Sequence, residues 1–422
     1  MDVFRIEGPV RLSGSVNING SKNASLPIMA ATILAAGKSV LSSVPHLSDI
    51  SVCGQLLGRL GCKVSRNSNG NLFIDSTVID NPVGEYEIVR RMRASICILG
   101  PLLARCGRVE VSMPGGCAIG DRPINIHLRG LRELGAKIHL KNGYIIAEAP
   151  KGLKGKEIFM GGPFGSTVLG TANVLMAATL AKGKTVIESA ACEPEIADLA
   201  NCLNKMGAKI TGIGSPRLTV EGVRELQPVE HRVIPDRIEA GTFMIAAAIT
   251  AGELHLDNCR LDDMMAVVDK LRNIGITVDA TNDGCFVTRK GRIKTADITT
   301  QPYPGFPTDL QAQFMALLSL AEGNSVIIEK IFPDRFMHVA ELNRMAANLR
   351  KEGPAVIIAG VKKLRAAPVM ASDLRASAAL VLAGLAADGT TIVDRVYHID
   401  RGYERIEERL NPVGAKITRE SD

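Results

Sequence analysis

The loop Met113-Pro-Gly-Gly-Cys117-Ala-Ile-Gly-Asp-Arg122-Pro123 gathers turn-forming residues around one thiol, with a guanidinium five positions on. Its glycines leave the backbone open to a ligand. A thiol on such a loop can be a general acid or a nucleophile when neighbouring cations tune it, whereas Cys62, Cys97, Cys106 and Cys202 sit on apolar helical faces and read as core. Near the start, Asn19-Gly-Ser-Lys22-Asn23-Ala-Ser-Leu-Pro27 joins a strand to a helix. Lys22 there opposes the helix dipole, which favours an anion site over an ordinary surface lysine. In the second half the candidates are Pro307-Thr-Asp309, Phe332-Pro-Asp-Arg335-Phe-Met-His338, Ser372-Asp373-Leu-Arg375-Ala-Ser377 and Tyr397-His-Ile-Asp-Arg401-Gly402. Arg122, Arg335, Arg375 and Arg401 would together suit phosphate and carboxylate groups, and taken separately would be surface ion pairs. Asp309 fits a general base for a hydroxyl and equally an N-cap.

What must position these residues is a repeat. The phrase L-x-x-x-G-x-K begins at Leu57, Leu131, Leu203, Leu271, Leu342 and Leu410, drifting in the later copies, at a period of about 70 residues. Ahead of each copy a small-residue helix closes on a glycine, at Gly37, Gly107, Gly183, Gly252, Gly323 and Gly389. A β-branched run follows each of these glycines, and one or two alternating runs follow each L-x-x-x-G phrase, so the repeat reads helix, strand, helix, strand, strand. Its last strand recurs as Leu218-Thr-Val-Glu-Gly and Ile357-Ile-Ala-Gly. The sixth copy stops at Gly414-Ala-Lys-Ile-Thr-Arg-Glu420 before that strand can form, while Phe4-Arg-Ile-Glu-Gly-Pro-Val-Arg-Leu12 carries its pattern. The N-terminus is therefore expected to complete the sixth repeat, giving one domain of residues 22–230 and another of residues 1–21 with 231–422. A solenoid of stacked repeats is the alternative, although solenoid units usually run about 20–50 residues. The candidate positions each fall at or just before the start of a repeat's helix, so a symmetric arrangement would bring them to one interface.

The 422 residues exceed what one core usually supports, which agrees with two domains. Hydrophobic residues at 46% and charged residues at 22% fit a globular chain rather than a disordered or coiled-coil one. A net charge of +6 is scattered, without aromatics interleaved, which argues against nucleic acid as a partner. Nine cysteines without a C-x-x-C pair suggest neither a disulfide framework nor a zinc site, and point to a reducing compartment. No histidine cluster suggests a metal, and Gly212-Ile-Gly214 followed by Pro216 is no dinucleotide fingerprint, so no cofactor is expected. Met1 to Ser15 lacks the apolar run of a secretory signal, and Thr242 to Ala251 and Ala376 to Ala387 are too short to span a bilayer. They read as buried helices, and the location as cytoplasmic without membrane contact.

Long motifs in fixed order then become specific: S-K-N-A at Ser21 to Ala24, P-G-G-C-x-I-G at Pro114 to Gly120, F-P-T-D at Phe306 to Asp309, R-F-M-H at Arg335 to His338, D-L-R-A-S at Asp373 to Ser377 and H-I-D-R-G-Y-E-R at His398 to Arg405. Over essentially the whole chain the sequence resembles the enolpyruvyl transferases that act on UDP-N-acetylglucosamine. The resemblance implies an α/β fold, the two-domain inside-out α/β barrel built from six βαβαββ-like repeats, three per domain, with the active site in the cleft between the domains. It implies phosphoenolpyruvate and UDP-N-acetylglucosamine as substrates. Lys22, Arg122 and Arg401 would hold phosphoenolpyruvate. Cys117 would protonate its methylene carbon or assist product release, and would be the group trapped by the epoxide fosfomycin. Asp309 would take or position the hydroxyl proton, with Asp373, Arg335 and Arg375 in support. Asn23, Arg93, the run Arg122, Pro123, Ile124, Asn125 and Ile126, the stretch Thr167, Val168 and Leu169, and Ile331 would contact the nucleotide sugar. Asn125 stands where many relatives carry aspartate, Gly165-Ser-Thr-Val-Leu-Gly170 replaces the more familiar S-V-G-A-T, and Ile331 replaces valine. The sister shikimate-pathway enzymes lack the cysteine loop. A catalytically silent nucleotide-sugar-binding paralogue is the other rival, and Lys22, Cys117, Asp309 and Arg401 all stand against it.

Overall fold

Three helices in the C-terminal domain, Arg237–Ile249, Gln311–Leu318 and Leu374–Ala386, pack on one another and are buried along nearly their whole length. Beyond their first turns they are apolar all round, as a helix enclosed on every side must be, and runs such as Ala246-Ala247-Ala248 keep the side chains small. The N-terminal domain repeats the plan with Lys22–Ala31, Leu99–Cys106 and Val168–Ala178. The computed structural model describes residues 2–114 and 123–421. By internal packing these divide into residues 20–114 with 123–234, and residues 2–19 with 235–421.

Six four-stranded sheets surround these helices, three per domain, and all follow one order: first strand, second, fourth, third. The first two strands run parallel across a central helix, and the last two form a hairpin antiparallel to the second. The sheet strands bury alternate residues, as in Val356 and Ile358 of Ala355–Ala359. A second helix in each repeat, such as Ser48–Arg59 or Pro194–Lys205, buries one face only. This is the expected two-domain inside-out α/β barrel of six βαβαββ repeats.

The strand Asp2–Gly8 lies between Gly389–Asp394 and Ile417–Ser421, antiparallel to both, with Phe4 opposite Val393 and Arg419. The N-terminus thus completes the sixth repeat, as its sequence pattern implied, and Phe4 and Ile6 are wholly enclosed. A second exchange was not legible. Ser13–Asn17 pairs parallel with Glu253–Asp257 as the first strand of the fourth repeat, and Glu230–Arg232 pairs parallel with Lys38–Ser42 as the first strand of the first. The chain accordingly passes between domains at residues 19/20 and 234/235, not at 21/22 and 230/231. The three-residue strand His231 centres is too short and too polar to announce itself by alternation.

The L-x-x-x-G phrase is a helix stop. In all six copies the backbone N–H five residues after the leucine donates to the leucine carbonyl, from Cys62 to Leu57 through Ala415 to Leu410. This is a Schellman closure, which needs a left-handed residue one position earlier. Gly61, Gly135, Gly207, Gly275 and Gly414 supply it with φ of 95–107°, and Ala346 supplies it in the fifth copy at φ 64°. The glycine ending the fourth strand has another cause: a β-carbon at Gly222 or Gly360 would lie 1.6 or 1.8 Å from the carbonyl oxygen of Ala181 or Ala321.

One assignment fails. Cys106, expected in the core with Cys62, Cys97 and Cys202, is exposed because it is the last residue of its helix, turned outward where Gly107 breaks the chain direction. Among the described residues no helix is long and apolar enough to cross a membrane.

Ala346 is the one Schellman position carrying a side chain, so Ala346→Gly should stabilise the fold by about 0.5–1 kcal/mol, the left-handed strain relieved less the entropy glycine loses on folding. Urea unfolding followed by circular dichroism measures this, and a lowered midpoint would contradict it.

Candidate active site

The polar residues of the C-terminal domain gather where its central helices begin. Thr308 and Asp309 form the turn that leads into Gln311–Leu318. Asp373 is the N-cap of Leu374–Ala386, accepting from the N–H groups of Arg375 and Ala376, and Asp236 caps Arg237–Ile249 in the same way. Arg335 donates to Asp309 Oδ1 at 2.9 Å and to the Thr308 hydroxyl at 3.1 Å. Arg375 reaches Asp309 Oδ2 at 3.3 Å. One carboxylate is therefore gripped by two guanidinium groups that are themselves buried, while Asp309 keeps a quarter of its side chain open.

Burial opposes the charge on Arg335, and the Asp309 and Asp373 carboxylates outweigh it, leaving its pKa above the ordinary arginine value. Arg375 shows the same balance, with burial offset by Tyr403, Asp309 and Asp236. Its guanidinium lies 5.4 Å over the Tyr403 ring. The Tyr403 hydroxyl meets Thr242 at 2.8 Å and receives Gln313 at 3.3 Å. Nε and Nη1 of Arg375 have no partner among the described residues. Donors left unpaired in the interior are costly, and an anionic group would satisfy them. His338, buried behind the site, is held neutral: burial pushes its pKa down to about 4, against the pull of Asp373.

Arg401 ends the turn Val396–Arg401, half-buried, and lies near enough to His398 that, after burial itself, its charge helps to depress that imidazole's pKa. Ile331 is positioned by Glu329, whose Oε1 accepts from the N–H groups of Ile331 and Phe332 and from Thr300, while Oε2 accepts from Thr308. Glu329 is wholly buried, and it ties the Ile331 loop to the Asp309 turn.

In the N-terminal domain Lys22 is the first residue of its helix, Ser21 caps it through Ala24, and the Lys22 ammonium lies 3.4 Å from buried Asp49. Asn23 follows it, half-buried. Arg93 opens the turn Arg93–Ile98 that precedes Leu99–Cys106. Thr167 caps Val168–Ala178 by accepting from Gly170, with Val168 and Leu169 half-buried beside it. Pro123 and Asn125 are exposed, Ile124 is buried and Ile126 half-buried, at the start of Asn125–Glu133. Cys117 and Arg122 lie outside the described residues. The structure thus joins Asp309, Arg335, Arg375 and Asp373 into one network with Ile331 tied to it, sets Lys22 and Thr167 each at the start of a central helix, and places Arg93 at the start of the turn leading into a third.

Sequence reading missed Asp49, Glu329, Tyr403 with its Thr242 and Gln313 partners, and Asp236. Only Pro235-Asp236-Arg237 carried a signal, an acidic N-cap ahead of an apolar run. Among the described residues no group of His, Cys, Asp or Glu is placed to hold a metal ion.

Known proteins agree on the family. Residues 6–410 match the family model of EPSP synthase (3-phosphoshikimate 1-carboxyvinyltransferase). The chain is 54% identical over 420 residues to the UDP-N-acetylglucosamine 1-carboxyvinyltransferase of Geotalea uraniireducens, covering 99% of both chains. It is 52% identical over 419 residues to that of Methylacidiphilum infernorum, again with 99% of both covered. The crystal structure of the enolpyruvyl transferase NikO from Streptomyces tendae superposes with a TM-score of 0.91 at 22% identity, over 100% of this chain and 99% of that one. EPSP synthase from Acinetobacter baumannii gives 0.77 at 19% identity over the whole of both chains. Full-length identity above half, on this fold, places the chain in the enolpyruvyl transferase family, among the UDP-N-acetylglucosamine 1-carboxyvinyltransferases.

Proposed function

We infer that the protein transfers the enolpyruvyl group of phosphoenolpyruvate to the 3-hydroxyl of UDP-N-acetylglucosamine and releases phosphate, the first committed step of peptidoglycan synthesis. The observation that carries this is identity of 52–54% along the whole chain to enzymes named for that acceptor. Fold alone would not choose the acceptor, since EPSP synthase shares it at 19% identity. The reaction belongs in the cytoplasm, where both substrates are expected.

Adding an alcohol across an enol ether requires a proton on the methylene carbon, removal of the hydroxyl proton and fixed cations for the anionic tetrahedral adduct; phosphate then leaves as the double bond re-forms. In our assignment Cys117 supplies or relays the carbon proton, and Lys22, Arg122 and Arg401 bind the phosphate and carboxylate of phosphoenolpyruvate. Asp309 accepts the hydroxyl proton or orients that hydroxyl. Its grip by Arg335 and Arg375 supports the role, because it fixes the carboxylate while leaving part of it open. Asp373 holds the helix start that carries Arg375. Asn23, Arg93, Pro123, Ile124, Asn125, Ile126, Thr167, Val168, Leu169 and Ile331 receive the nucleotide sugar.

Purified protein should release inorganic phosphate from phosphoenolpyruvate only when UDP-N-acetylglucosamine is present. Release with shikimate 3-phosphate instead would move it to the sister enzymes, and none with either, from folded protein, would make it a silent paralogue.

Asp309→Ala should lower kcat by roughly 10²–10⁴-fold, the usual worth of a positioned acid or base. PH–rate profiles of Asp309→Ala, Cys117→Ser and Cys117→Asp should differ from wild type, each losing or moving a limb. Unchanged rates in all three would overturn the assignment of both residues.

A further inference from the structure

A two-stranded hairpin, Gly161–Gly162 with Gly165–Ser166, leads directly into Thr167, and its two-residue turn is Pro163-Phe164. Three of its four strand positions are glycine. Phe164, at the turn, is the one large side chain the hairpin offers, and 60% of it is exposed. The hairpin is nevertheless held firmly. Arg129 donates to the carbonyls of Phe159 and Gly161 at 2.8 and 2.9 Å, and Met160 N–H donates to Glu188. A β-carbon at Gly162 would lie 2.6 Å from Ile126 Cδ1, so the hairpin sits directly on Ile126.

An exposed aromatic ring on an anchored turn is thus packed through its hairpin on one segment assigned to the nucleotide sugar, Pro123 to Ile126, and continuous in sequence with the other, Thr167 to Leu169. We propose that the Phe164 ring stacks on the uracil of UDP-N-acetylglucosamine and so helps to select the nucleotide. This rests on the reaction inferred above. Stacking of a base on an aromatic side chain is strong enough to matter and needs only a flat, accessible ring. Phe159 is equally exposed, at 63%, but it belongs to the strand Glu157–Phe159 ahead of the hairpin, and the end of its ring comes close to Gly161.

Steady-state kinetics on the full-length enzyme separate the possibilities. Phe164→Ala should raise KM for UDP-N-acetylglucosamine roughly ten-fold or more, leaving kcat and KM for phosphoenolpyruvate within about two-fold, because the contact is the same in ground and transition states. Phe164→Tyr should restore the wild-type KM, and Phe159→Ala should not change it. An unchanged KM in Phe164→Ala, failure of tyrosine to rescue it, or an equal rise in Phe159→Ala would overturn the stacking role while wild-type turnover upheld the reaction. Wild-type protein that consumes no UDP-N-acetylglucosamine would overturn both.

Discussion

Enclosure of the central helices is the constraint on which the rest of the structure depends. A helix buried on every side has no polar face to offer, so Arg237–Ile249, Gln311–Leu318 and Leu374–Ala386 can contribute chemistry only at their ends. The N-terminal ends are the useful ones, with unpaired N–H groups and the positive end of the dipole. Lys22, Thr167, Asp236, Asp309 and Asp373 each occupy such an end or the residue or two before it, and Arg93 opens the six-residue turn that runs into another. Within each domain such helix starts offer backbone donors of the kind that suit anionic groups. The acidic members serve a second purpose: Asp236 and Asp373 satisfy two N–H groups each, and without them the helix starts beside the buried arginines would add unpaired donors to unpaired charge.

The same enclosure explains why the chain crosses between domains as it does. A ring of sheets around three helices leaves no strand dispensable, since a missing one would expose the apolar helix behind it. Asp2–Gly8 fills that place in the sixth repeat and Ser13–Asn17 in the fourth, while Glu230–Arg232 returns to fill it in the first. Both crossings are secured by paired hydrogen bonds, Asp236 N–H to the Asn19 carbonyl on one side and Ser21 N–H to the Ile234 carbonyl on the other. Lys22 begins its helix immediately after one of these crossings. Its place at the helix start is therefore fixed by the topology as well as by local propensity.

How much of this could be read from residues alone depended on whether a feature had a local cause. The six L-x-x-x-G phrases were legible because a Schellman closure demands a left-handed residue at one fixed offset from a buried leucine, and five of six copies meet it with glycine. Phe4 to Leu12 was legible because an apolar alternation ending in glycine repeats the fourth strands elsewhere. Glu230–Arg232 was not, since three residues pairing with a strand nearly two hundred positions away leave no periodic trace. The fate of Cys106 turned on one residue of helix length. At the site, Asp309, Arg335, Arg375 and Asp373 were found through their turn and cap settings, and their union into one network needed the repeat symmetry. Glu329 and Asp49 gave no sign, because a buried carboxylate that accepts from backbone N–H groups or a lysine looks in sequence like any solvated one.

Asp309 shows why the arginines around it cannot be treated as simple substrate clamps. Each of its oxygens accepts from one guanidinium, and both cations are out of water. Isolated, two buried cations this close would repel and pay a large desolvation penalty; the carboxylate between them offsets both costs. Removing the carboxylate therefore does more than delete one acid or base, because it leaves the pair uncompensated. The balance is also one-sided: Nε and Nη1 of Arg375 have no hydrogen-bond partner among the described residues, so the carboxylate offsets the charge of that guanidinium without satisfying all of its donors.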